Sequence, residues 1–124
     1  MQTVLIVDDS AFQRKFLERA LVDGGFAVRQ ATNGDEALAE ITANPPDCIL
    51  TDLIMPDMRG LVLLETLQER DSQTPVVVLT ADIQQPVEER CLELGAARVL
   101  HKPVKPEVLT QTLREVLELG AEPS

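Results

Sequence analysis

The stretch CILTDLIMPD, residues 48–57, runs apolar into a carboxylate, Asp52, and then turns apolar again. A short apolar run without alternation reads as a strand covered on both faces, as in a parallel sheet. A buried, unpaired carboxylate in such a run costs several kcal/mol or takes up a proton. The stretch makes sense if the strand covers 48–51 and Asp52 stands at its C-terminal end, with a functional partner.

Moving outward, the same alternation of apolar runs and helical patterns repeats along the chain. TVLIV, residues 3–7, is a first strand, and residues 8–25 read as a helix. In that helix Phe12, Phe16, Leu17, Ala20 and Leu21 are expected on one face, with Gly24-Gly25 as the stop. A second strand is expected over 26–31 and a second helix over 35–43, ahead of Pro45-Pro46. Beyond Asp52 come a helix at 61–70, a strand at 75–79 and a helix at 86–94, the last with proline in its first turn. A strand at 98–101 and a helix at 106–119 complete the pattern, with Leu109, Leu113, Val116 and Leu117 on one helix face. Five β-α units in 124 residues predict one α/β domain, a flavodoxin-like (βα)5 fold. Its parallel sheet has strand order 2-1-3-4-5, with helices on both faces. Residues 120–124 read as a short tail.

Such sheets bind ligands beyond the strand C-termini, where strand order reverses. Asp8, Asp9 and Ser10 follow the first strand, Asp52 the third, Thr80 and Ala81 the fourth, and Lys102 and Pro103 the fifth. Strands one and three are neighbours in this order, so the three aspartates should meet, with Thr80 and Lys102 alongside. Two unit charges about 4 Å apart repel by roughly 4 kcal/mol at an effective dielectric of 20. Clustered carboxylates therefore call for a proton or a hard divalent cation with oxygen ligands, Mg2+ or Mn2+. An ammonium and a hydroxyl beside them suit the equatorial oxygens of a phosphoryl group in transfer, and a carboxylate can be its acceptor. Taken singly, each residue has a plainer reading. Asp8, Asp9 or Ser10 could cap the first helix, Thr80 could be an ordinary strand end, and Lys102 a solvated lysine before a turn proline. Asp57 and Asp82 fit turn or helix caps, Met55 and Met58 loop packing, and His101 an exposed strand end. Convergence of compatible groups from four strands on one sheet edge outweighs these readings.

Composition removes several alternatives. Eleven Lys and Arg against 21 Asp and Glu give a net charge of −10, which argues against a nucleic-acid or anionic-membrane surface. Cys48 and Cys91, both in apolar context, read as reduced core thiols rather than zinc ligands. The N-terminal MQTVLIVDD lacks a basic n-region and a cleavage signal, and no apolar run is long enough to span a bilayer. A cytoplasmic location is expected.

VLIVDDS, ILTDLIMPDMRG, VVVLTA and HKP, in this order, closely resemble the receiver domain of two-component response regulators over nearly the whole chain. The resemblance implies that Asp52 is the phosphoacceptor and that Asp8 and Asp9 hold Mg2+ with Asp52 and the main-chain carbonyl of Ile54. It implies that Thr80 and Lys102 bind the phosphoryl group, that Ala81 leaves room beside it, and that the Lys102–Pro103 peptide is cis. Met55, Pro56 and Gly60 match the family's loop after the acceptor. The implied donor is a phosphohistidine on a histidine kinase or a histidine phosphotransfer protein. The signal would leave by binding a downstream protein target or phosphatase, from a monomer or weak dimer with no output domain. Such a protein is not a conventional enzyme; it catalyses its own phosphorylation and a slow autodephosphorylation. Two positions depart from the family pattern. Val99 stands where an aromatic residue usually reports phosphorylation, and Ile54 where a polar residue is common, which points to slow loss of the phosphate. A phosphohydrolase of the haloacid dehalogenase type would want a second Asp at 54 and a cap, and a flavin-binding module would want a hydroxyl- and glycine-rich loop and aromatics. A non-phosphorylated interaction domain would be expected to have lost some of the pocket residues, and all are present.

Overall fold

A computed structural model describes residues 1–53, 60–81 and 85–121. The elements run β1 (Thr3–Val7), α1 (Ala11–Asp23), β2 (Ala27–Ala31), α2 (Gly34–Ala43), β3 (Cys48–Asp52), α3 (Gly60–Glu69), β4 (Val76–Thr80), α4 (Gln85–Glu93), β5 (Arg98–His101) and α5 (Pro106–Ala121). The five strands form one parallel sheet in the order β2-β1-β3-β4-β5, as expected.

Strand side chains alternate between two cores, which is why the strands lack polar alternation. Leu5, Val7, Ile49, Val76 and Val78 face one layer, where Ala37 and Ile41 of α2, Leu63, Leu64 and Leu67 of α3 and Cys91 of α4 cover them. Val4, Ile6, Leu50, Val77 and Leu79 face the other, under Leu17 and Leu21 of α1 and Leu109, Leu113 and Val116 of α5. Truncating one of these leucines to alanine costs about 2–5 kcal/mol in cores of this kind. Cys48 and Cys91 are free and buried, and burial pushes the Cys48 thiol up to about 12, so it behaves as a core residue and not as a nucleophile.

Several boundaries differ from the sequence expectation. Asp52 and Thr80 are the last residues of β3 and β4 rather than the first beyond them, because both still pair across the sheet, Asp52 with Leu79 and Thr80 with His101. Helix α1 starts at Ala11, not at 8. Ser10 is its N-cap and accepts from the Gln13 N–H at 3.2 Å, which leaves Asp8 and Asp9 for another task. It ends at Asp23 with Gly24 as its C-cap, followed by Gly25 at φ +94°, a backbone region that only glycine enters without strain. Phe12 and Phe16 do not share the buried face of α1: they are 84% and 40% exposed. At about 100° per residue, Phe12 lies across the helix from the Leu17, Ala20 and Leu21 stripe, and Phe16 lies at its flank.

Candidate functional site

The C-terminal edge of the sheet brings the charged residues together. The Asp8 N–H donates to the Ala31 carbonyl at 3.2 Å, so Asp8 continues the line of β1. Its side chain is almost fully buried, and Oδ1 accepts from the Ser10 N–H at 2.9 Å. Asp52 points into the same space from β3, with Oδ1 accepting from the Leu53 N–H at 2.7 Å. The peptide around it is fixed from two sides. Thr51 Oγ1 donates to the Asp52 carbonyl at 2.8 Å, and the Gly60 N–H donates to the Leu53 carbonyl at 2.7 Å. A side chain at Gly60 would place Cβ 2.6 Å from the Asp52 carbonyl oxygen, so the start of α3 packs directly on the end of β3.

Thr80 is buried at the end of β4, and its carbonyl accepts from the Lys102 N–H at 2.8 Å. That bond ties the two residues expected to act together. The Lys102 ammonium reaches back to Asp52 Oδ2 at 3.4 Å and Asp8 Oδ2 at 3.7 Å. The Lys102–Pro103 peptide bond is cis. Ala81 is exposed beside them. Asp8, Asp9 and Asp52 each present a carboxylate oxygen within 4.8 Å of the others. Burial, first of all, raises the Asp8 carboxyl above its ordinary value; the Asp52 and Asp9 charges push the same way, while the Ser10 N–H and Lys102 oppose.

The three carboxylates suit a hard divalent cation. Oxygens on one Mg2+ octahedron stand about 3 Å apart when adjacent and about 4 Å when opposite, given bonds of about 2.1 Å. A spread within 4.8 Å needs only a small contraction or a bridging water, and one member, Asp9, is open to solvent for ion entry. The fourth expected ligand, the Ile54 carbonyl, lies outside the described residues, as do Met55, Pro56, Asp57, Met58 and Asp82. His101 is exposed at the strand end and stands 3.8 Å from Glu88. Val99 is half-buried against the core on the α3–α4 side of the sheet.

A model of the response regulator receiver domain matches residues 4–114. The chain belongs to this family. Among its relatives, chemotaxis protein CheY of Bacillus subtilis is 30% identical over 92% of this chain and 96% of CheY. Sensor histidine kinase RcsC of Salmonella typhimurium is 36% identical over 89% of this chain, which spans 12% of the kinase's length. The solved structure of Vibrio cholerae chemotaxis protein CheY4 superposes with a TM-score of 0.88 at 34% identity, covering 94% of this chain and 98% of that one. These receiver domains thus occur both alone and within much longer proteins. No helix among the described residues is long and apolar enough to cross a membrane.

Reading the sequence missed Arg14, Gln30 and Glu18, which form a hydrogen-bonded chain running to the Asp8 carbonyl. A signal was present: Arg14 follows the N-cap Ser10 by four residues, and a helical side chain leans toward the N-terminus of its helix, here toward the acidic turn. The consequence of Phe12 and Phe16 also escaped. With Ala81, Lys102, Pro103 and Val104 they line an open groove of 580 Å³ next to the site.

Proposed function

We propose that this receiver domain accepts a phosphoryl group on Asp52 from a phosphohistidine and signals through altered protein binding. The observation that carries the reading is the Lys102 ammonium between Asp52 and Asp8, at 3.4 and 3.7 Å, above three converging carboxylates. In the transfer, Asp52 Oδ attacks phosphorus and the P–N bond to the donor imidazole breaks. Its electron pair stays on the imidazole nitrogen, which takes a proton from solvent. Lys102 meets the negative charge of the equatorial oxygens, and the Thr80 hydroxyl, at the neighbouring strand end, supplies a hydrogen bond to one of them. Asp8 and Asp9, with Asp52, would hold Mg2+, which would supply positive charge to offset the carboxylates and the phosphoryl oxygens. Ala81 keeps the space beside the phosphoryl group clear.

A histidine kinase or histidine phosphotransfer protein supplies the phosphoryl group, and a protein target or a phosphatase reads or removes it. The net charge of −10 keeps nucleic acid and anionic membranes off the list of partners. The protein works in the cytoplasm as a monomer or weak dimer. The test is direct. Incubation with acetyl phosphate and Mg2+, borohydride trapping and peptide mapping should place the label on Asp52 alone. A label on Asp57 or Asp82, or one that survives Asp52→Ala, would overturn the assignment.

A further inference from the structure

We propose that Arg14 is a positioning residue for the acidic pair Asp8–Asp9, acting through the peptide group that joins them. This inference rests on the metal-binding reading above. The ladder between β1 and β2 closes with Val7 opposite Ala31 and the Asp8 N–H on the Ala31 carbonyl. The next acceptor, the Asp8 carbonyl, takes its hydrogen bond from Arg14 Nη1 at 2.7 Å. Arg14 is itself oriented: Nε donates to Gln30 Oε1 at 3.1 Å, and Gln30 Nε2 donates to Glu18 Oε2 at 2.6 Å. Gln30 belongs to β2 and Glu18 lies one turn beyond Arg14 on α1, so the guanidinium is braced by two elements.

The Asp8 carbonyl belongs to the planar unit that runs from the Asp8 Cα through the Asp9 N–H to the Asp9 Cα. With the plane no longer held, ψ of Asp8 and φ of Asp9 are free to vary, and any change in one that the other does not compensate turns the Asp9 carboxylate relative to the Asp8 carboxylate. The Ser10 N–H restrains the Asp8 carboxylate at 2.9 Å, but it leaves the plane to Arg14. Mg2+ demands near-ideal octahedral geometry, so a loosened pair loses affinity before the fold is lost. The sign separates this role from a Coulombic one. Removing a cation near a divalent-ion site should by charge alone strengthen ion binding, whereas removing a positioning bond should weaken it.

The experiment measures Mg2+ affinity by calorimetry in wild type, Arg14→Ala, Arg14→Lys and Gln30→Leu, with folding of each checked by circular dichroism. Arg14→Ala should bind Mg2+ about tenfold more weakly, in line with other losses of groups that orient metal ligands. Arg14→Lys keeps the charge and one donor and should fall between. Gln30→Leu leaves Arg14 present but unoriented and should weaken binding less than Arg14→Ala does. In metal-free protein the Asp9 amide resonance, which reports on the same peptide group, should move in Arg14→Ala. Unchanged or tighter Mg2+ binding in folded Arg14→Ala would overturn the proposal. If wild type binds no Mg2+, the metal-site reading fails; an unmoved Asp9 amide would then refute the Arg14 hydrogen bond on its own.

Discussion

Lys102 Nζ lies 3.4 Å from Asp52 Oδ2, reaching from the turn after β5 across the end of β4 to the end of β3. The ammonium does in part what a bound cation does: it offsets the charge of Asp8 and Asp52. Under the proposed function, ammonium and Mg2+ would therefore compete electrostatically for the same carboxylates, yet both would serve the transferring phosphoryl group. Lys102→Met should bind Mg2+ more tightly than wild type and label with acetyl phosphate at least about tenfold more slowly, a barrier change of about 1.4 kcal/mol. Calorimetry and the initial rate of labelling read the two effects separately. Equal Mg2+ affinity with an undiminished rate would show that Lys102 acts on neither.

The sheet was legible because a doubly covered strand cannot hide its composition: the apolar runs TVLIV and VVVL leave little room for another assignment. The site was legible for the opposite reason. Asp8, Asp52 and Lys102 are polar residues placed where apolar runs stop, and topology alone brings those stops together. What escaped depended on direction rather than composition. The ladder pairing of Asp52 and Thr80 is a backbone property that hydrophobicity does not report. Phe12 looks like a core residue until its angle to Leu17 is counted. Arg14 acts on a main-chain carbonyl, and no side-chain motif marks that acceptor.

Gly60 offers a test of how tightly the end of β3 is held. A Cβ there would stand 2.6 Å from the Asp52 carbonyl oxygen and 2.8 Å from Leu53 Cα, both main-chain atoms that cannot rotate away. Gly60→Ala should destabilise the protein by about 1–3 kcal/mol, the usual cost of overpacking, and slow labelling of Asp52 as its peptide shifts. Urea denaturation and acetyl phosphate labelling measure the two. An unchanged midpoint would mean that α3 can retreat without strain.

Phe12 separates donor docking from chemistry. It is 84% exposed, so Phe12→Ala should alter stability by less than about 0.5 kcal/mol. The groove it lines abuts Lys102, and exposed aromatics at the edge of a site commonly anchor a protein partner. Transfer from a phosphorylated histidine protein should slow in Phe12→Ala, mostly through a higher KM, while labelling by acetyl phosphate stays at the wild-type rate. Slowing with both donors would move Phe12 from docking to the chemistry.

The buried Asp8 makes the metal-free protein pH-sensitive in a defined direction. Its folded-state value is raised above the ordinary 3.8, chiefly by burial. A raised carboxyl favours the folded state when protonated, so its contribution is fully present below the unfolded value of 3.8 and is lost as pH rises through the folded value. At neutral pH the ionised group therefore costs stability in the absence of metal. Asp8→Asn removes that cost while keeping an oxygen to accept from the Ser10 N–H. In EDTA the variant should be more stable than wild type at pH 7, and the two should converge as pH falls below 3.8. Saturating Mg2+ should reverse the order at pH 7, because wild type gains binding energy that the variant lacks. Thermal unfolding at several pH values, with and without Mg2+, provides the measurement. A variant less stable than wild type in EDTA at pH 7 would show that the ionised Asp8 is well compensated in the apo protein, and that burial is not the dominant influence on it.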